Sequence, residues 1–230
     1  MLVAVQCEGR AAGPGSRRHN RHMTRLMADP AFRRAQEEQL HLPHIAPITS
    51  LVDDLRKDGE WAPYVAPLHG GIHARMMTLL RDPGPMTRQG TGSGMLCTEN
   101  NDQTAAKQCE LMAEAGLTAA DLTPWNAYPW YINRPPTKRE LRRGAGVISS
   151  IVALMPELRV VLLTGRDAQA AWDLAAQHDS TLRSGRFAVL RTFHASVQAL
   201  QAKDPLERAR RVQHRIDTWC EAGLLVHGAK

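Results

Sequence analysis

Apolar and polar positions along this chain fall into two rhythms. Helical spacing is read over residues 23–39, with a possible break at Asp29 and Pro30, and again over 48–57, 102–115, 137–155, 167–177 and 205–222. Between these lie short continuous apolar runs at 76–80, 159–164 and 187–192, with a fourth short strand ending near Asn126. Runs of that length, rich in Val, Leu and Met, fit strands covered on both faces. The order is helices first, then strand and helix in alternation. It predicts an α/β fold, a three-layer α/β/α sandwich on a four-stranded parallel sheet. Residues 1–60 read as a basic arm and helical extension packed on the core, and 61–230 as one α/β/α domain. Helix ends are marked by Asn101 or Asp102, by Thr137 with Glu140 at capping-box spacing, and by Asp204 before Pro205.

Composition narrows the class. With 230 residues and 43% hydrophobic content the chain can bury a real core. No apolar run reaches the roughly 18 residues of a membrane helix, and no secretory signal is read, so a cytoplasmic, bacterial-type protein and a monomer are expected. Cys7, Cys97, Cys109 and Cys220 are scattered without a paired spacing, so neither a metal site nor disulfides are implied. No cofactor is expected. A net charge of +6 favours an anionic partner, with nucleic acid first, or serves solubility alone. Arg10, Arg17, Arg18, His19, Arg21 and His22 form an arm that either meets phosphates or is a tail without a partner.

Candidate chemistry sits where strands end. In open parallel sheets, ligands bind at the carboxyl ends of the strands. Asp82 follows the run 76–80 and either starts a turn with Pro83 and Gly84 or presents a carboxylate at that lip. Asn126 and His194 close two further strands. An acid, an amide and an imidazole on one sheet edge suit cleavage of an N-glycosidic bond. The carboxylate stabilises an oxocarbenium ion and activates water, and the imidazole meets charge on the departing base. The amide can read a pyrimidine edge, having one donor group and one acceptor. The aromatic loop of Trp125, Tyr128, Trp130 and Tyr131 lies beside Arg134, Lys138 and Arg139. It either stacks on bases or packs on itself. Gly90, Gly92 and Gly94 allow a close backbone approach, but neither a Walker loop nor a complete dinucleotide fingerprint is present. A doubly wound nucleotide-binding enzyme rests on that loop alone.

The ordered set of Asp82-Pro83-Gly84, Asn126 and His194-Ala195-Ser196 resembles the uracil-DNA glycosylase superfamily over about residues 72–220. The resemblance implies a monofunctional DNA glycosylase that flips a pyrimidine and leaves an abasic site, with DNA as partner. It assigns Asp82 to water activation, His194 to the leaving base and Asn126 to base reading. Gly84 and Pro85 would lie along sugar and phosphate, and Ser196 on a phosphate. Residues 197–200 would enter the minor groove, with Gln198 and Leu200 as candidate wedges. Arg139 and Arg143 would meet DNA. Two departures stand out: Leu80 where the motif has glycine, and Ala195 where it has proline. The pocket wall is Met95, Leu96 and Cys97, without the phenylalanine common in relatives. The base is then either uracil or a bulkier modified cytosine, such as glucosylated hydroxymethylcytosine in phage DNA, which would imply antiviral defence rather than repair. A non-catalytic DNA-binding module of the same fold is the alternative.

Overall fold

A computed structural model describes residues 25–228. The basic arm at 10–22 and Cys7 lie outside the described residues. Four strands, β2 (Met76–Leu80), β4 (Leu122–Asn126), β5 (Val160–Thr164) and β6 (Ala188–Thr192), form one parallel sheet in the order β4-β2-β5-β6. This is the α/β architecture that the alternation predicts. A second, two-stranded parallel ladder joins β1 (Tyr64–Val65) to β3 (Met95–Leu96). It was not foreseen, because two residues are too short for a periodic signal.

The helices are α1 (Pro30–Glu38), α2 (Ala46–Arg56), α3 (Gln103–Glu114), α4 (Lys138–Ala153), α5 (Arg166–His178) and α6 (Pro205–His227). Their starts follow local chemistry. Asp29 caps α1 through the Ala31 amide at 2.8 Å, and the 23–39 helix indeed breaks there: a short 3-10 turn, Leu26–Ala28, precedes it. Asp102 accepts from the Ala105 amide at 2.8 Å, Thr137 and Glu140 form a capping box, and Asp204 accepts from Leu206 at 2.9 Å. The last helix runs past residue 222 to His227, since Trp219, Ala222 and Val226 keep an apolar stripe against the sheet.

Strand register sorts the side chains. Met76 pairs with Leu122 and Val160, and Val160 with Ala188, so even positions on all four strands share a face. Odd positions Met77, Leu79, Trp125, Val161 and Leu163 pack with Ile148, Ile151 and Trp172 from α4 and α5. Ile45, Ile48 and Val52 join the same core, so the segment around α2 is seated on this layer. Even positions Met76, Leu122, Val160 and Leu162 pack with Leu111 and Met112 of α3 and Trp219 of α6. Two helical layers thus enclose the sheet. Among the described residues no helix is long and apolar enough to cross a membrane.

Candidate active site

The even face changes character toward its carboxyl edge. There it presents Leu80, Asn126, Thr164 and Thr192, and it opens into a cavity of about 1140 Å³. Asn126 pairs with Leu80 in register, and Thr192 with Thr164. The backbone past β4 stays tied to the backbone past β2: Ala127 donates to the Leu80 carbonyl at 2.7 Å and Tyr128 to that of Arg81 at 3.0 Å. Gly144 lets α4 approach this turn, since a Cβ there would stand 1.9 Å from the Ala127 carbonyl oxygen. Asp82 and Asn126 are therefore carried on one linked pair of strand ends.

The cavity gathers Asp82, Gly84, Pro85, Leu96, Cys97, Asn126, His194, Ser196 and Gln198. Four expected residues lie elsewhere. Met95 is 2% exposed and packs below with Met27 and Ala66, because β3 turns it inward. Leu200 is buried, whereas Val197 is 61% exposed on the same loop, so Leu200 is no free wedge. Arg143 ion-pairs with Glu60 and lies 3.7 Å over the Trp130 ring, which commits it to the fold. Arg139 is exposed on α4 and does not line the cavity. The aromatic loop packs largely on the protein: Tyr128 and Trp130 are buried, their centroids 5.0 Å apart.

Asp82 is nearly enclosed, its side chain 4% exposed, and Arg81 Nε donates to its Oδ1. Burial pushes the carboxyl above its ordinary range; the Arg81 guanidinium opposes that rise, and Asp167 adds to it. Asn126 is 2% exposed, and its Oδ1 has no hydrogen-bond partner. An unsatisfied buried acceptor costs about 1–3 kcal/mol, and a donor entering the cavity that Asn126 lines would recover that cost.

His194 follows β6. The Ser196 amide donates to its Nδ1 at 3.1 Å, so the neutral ring carries its proton on Nε2. Its pKa is pushed down to about 4 by burial, helped by Arg81 and Arg215, and the ring is neutral at physiological pH. Gly165, at φ +95°, turns the chain after β5 beside this residue; a Cβ there would lie 3.4 Å from that of His194.

Several site residues carried no motif. Thr98, Gln108 and Thr192 line the cavity with buried hydroxyl or amide oxygens that lack partners. Only Gln108 left a trace in the sequence: a polar residue on the buried face of α3, among Ala105, Cys109, Leu111 and Met112. His69 fixes the wall from behind. Its Nε2 accepts the Thr98 amide at 3.3 Å, its Nδ1 donates to the Ala119 carbonyl at 3.2 Å, and burial takes its pKa down to about 4. Burial raises the Cys97 thiol and pushes Cys109 up to about 12, so neither is an activated nucleophile. The glycine-rich loop packs on itself: a Cβ on Gly92 would meet the Met86 carbonyl oxygen at 2.2 Å, and its amide donates to Arg88 O at 2.7 Å. That use leaves the phosphate-binding reading of the loop without support. Among the described residues no three His, Cys, Asp or Glu side chains gather as metal ligands would. No protein-family model matches this chain, and no curated protein sequence matches it.

Proposed function

We propose that this protein is a monofunctional DNA glycosylase that hydrolyses the N-glycosidic bond of a flipped pyrimidine nucleotide. One observation carries the reading: three strand ends bring a buried carboxylate, an unsatisfied amide oxygen and a neutral histidine of fixed tautomer to one cavity. In the reaction, the C1′–N1 bond breaks and its electron pair leaves with the base. His194 Nε2–H donates to the base oxygen on which that charge collects; a neutral donor is suited to an anion that forms only in the transition state. Asn126 pairs with the base edge through the amide whose oxygen now lacks a partner. Water adds to C1′ of the oxocarbenium ion, its proton passes to Asp82 and on to solvent, the departed base anion takes up one proton from solvent, and the products are neutral free base and an abasic sugar. None of the described lysines lines the cavity, so no Schiff base forms and the strand stays intact.

Duplex substrates must be flipped, at a cost of a few kcal/mol. The exposed Val197 and Gln198 on the loop after Ser196 are suited to fill the vacated stack, and Arg166 at the cavity and the net charge of +6 offset the cost through phosphates.

The polar wall of the cleft, rather than its volume, favours a base larger than uracil. The cleft is open along the sheet edge, and its roughly 1140 Å³ takes in the path of a sugar and phosphate as well as a base. The orphaned oxygens of Thr98 and Gln108 add hydrogen-bonding capacity away from the ring-reading amide. A cytosine bearing a hydroxyl-rich substituent, as in glucosylated phage DNA, matches that wall, and the role is then defence against foreign DNA within the cytoplasm. The test is abasic-site formation on DNAs carrying uracil, hydroxymethylcytosine or its glucosylated form. Cleavage of the glucosylated DNA above the others is expected. Uracil cleavage alone would refute the bulky-base assignment. No abasic sites with retained DNA binding would replace the enzyme by a binding module of the same fold.

A further inference from the structure

The loop that carries His194 is held from below by a buried cation. Arg215, on α6, is 4% exposed. Its Nη1 donates to the His194 carbonyl at 3.2 Å and to the Ala195 carbonyl at 3.1 Å. Its Nε is buried without a partner. Among the described residues no carboxylate stands within ion-pair distance of it; Glu110 and Glu114 act on it only at longer range. A buried charge without an ion-pair partner is an expensive way to stabilise a helix, and an apolar side chain of that volume commonly serves as well or better. The position therefore asks for a reason beyond packing.

We propose that Arg215 is the positioning residue of this site: its guanidinium fixes the turn at residues 194 and 195 by two carbonyl hydrogen bonds and so sets where the imidazole meets the departing base. The inference rests on the reading of His194 as leaving-group stabiliser. The geometry gives the reason. The ring itself has one anchor, the Ser196 amide, and that amide belongs to the same loop. Arg215 ties the turn at 194 and 195 to a helix packed on the sheet, while Arg211 and His214 of the same helix hold the loop on either side, at Gln201 O and against the Phe193 ring. A misplacement of about 1 Å at a reacting centre costs on the order of a hundredfold in rate, so a loop bearing the key donor needs such a tie. The same cation also helps to keep the ring neutral, jointly with Arg81. Asp82, Asp102, Arg166, Asp167, Arg191, Arg211 and His214 are the other charged or imidazole side chains that line the same cavity.

Two variants test this, Arg215→Lys and Arg215→Met, read by single-turnover base release, DNA affinity and NMR titration of the His194 ring. Lysine keeps the charge but not the forked geometry. Its base release is expected to fall about tenfold with DNA Kd within about threefold, and His194 stays neutral down to acid pH. Methionine removes the charge as well: base release is expected to fall further, and the His194 titration moves toward its ordinary range. A purely structural arginine would lower the melting temperature and leave the folded protein's rate and His194 titration as they were. That outcome in the Met variant, or a parental rate in the Lys variant, overturns the proposal. Should the parent release no base at all, the glycosylase reading fails separately. In that case a displaced ring, read as changed NMR shifts of the two His194 ring nitrogens in Arg215→Lys at neutral pH, where the charge is kept, would still support the positioning role, and unchanged shifts would overturn it.

Discussion

The two faces of the central sheet share their strands and their hydrogen bonds, yet they do different work. On the odd face, Met77, Leu79, Trp125, Val161 and Leu163 are closed under α2, α4 and α5, and the edge strand β6 ends there in the exposed Arg191. On the even face the first positions are just as apolar, but the last are Asn126, Thr164 and Thr192, and the layer parts into a cavity. Asn126 and Thr192 each leave a buried oxygen unsatisfied at the cavity; Thr78 does so deeper on the same face, and on the odd face the Trp125 indole N–H is likewise without a partner. The contrast teaches that a site costs stability where it is built, at about 1–3 kcal/mol for each orphaned group, and that the opposite face supplies the stability that tolerates it.

The sharpest way to break this division is Asp82→Asn. It is expected to reduce base release by roughly 10³-fold while DNA affinity stays within about threefold, measured by single-turnover kinetics and anisotropy. Stability should not fall. Burial raises the folded pKa of Asp82, so ionisation above its unfolded pKa of about 4 weakens the folded state, and the uncharged amide relieves that cost at neutral pH. Leu163→Ala attacks the other face. It should cost about 3 kcal/mol in urea denaturation, yet leave the folded protein's release rate nearly unchanged.

Acid tests the cavity and the wall behind it at once. His194 and His69 have folded pKa values near 4, below the unfolded value of about 6.5. The unfolded chain therefore takes up protons first as pH falls. The stability they contribute is full above pH 6.5 and is lost on the way to about pH 4, on the order of 3 kcal/mol for each. Denaturation curves across that range check the slope, and His69→Gln should remove about half of it. The smallest expected effect is Gln108→Leu. It should stabilise by about 1 kcal/mol and slow release of a bulky base roughly tenfold, with no effect on uracil.

How much of this was legible in the sequence follows from the physics of each signal. β2 was readable to the residue, because a continuous apolar run stopped at Arg81 and Asp82. The capped starts of α3, α4 and α6 were readable from one or two side chains each. Asp82, Asn126 and His194 were found together because each ends a strand, and parallel strands put their ends on one edge. Met95 and Leu96 illustrate the failure: adjacent residues on a two-residue strand point opposite ways, and nothing local says which one faces the cavity. Leu200 is a candidate wedge through the resemblance, which fixes the segment and not the side chain, and a 3-10 turn over Gln198–Leu200 folds it inward and leaves Val197 outside. Arg215 carries no local signal that sets it apart from Arg208, Arg210 and Arg211 on the same helix, since its burial depends on a loop brought in by β6.

The central claim is that the opened face breaks one particular bond. Its most direct test is mass spectrometry of what leaves DNA carrying uracil or glucosylated hydroxymethylcytosine on incubation with the protein, with Asp82→Asn as control. The account predicts an intact free base, equimolar with abasic sites and absent from the control. Release of a nucleotide or a severed strand, or of nothing from any substrate, would contradict it.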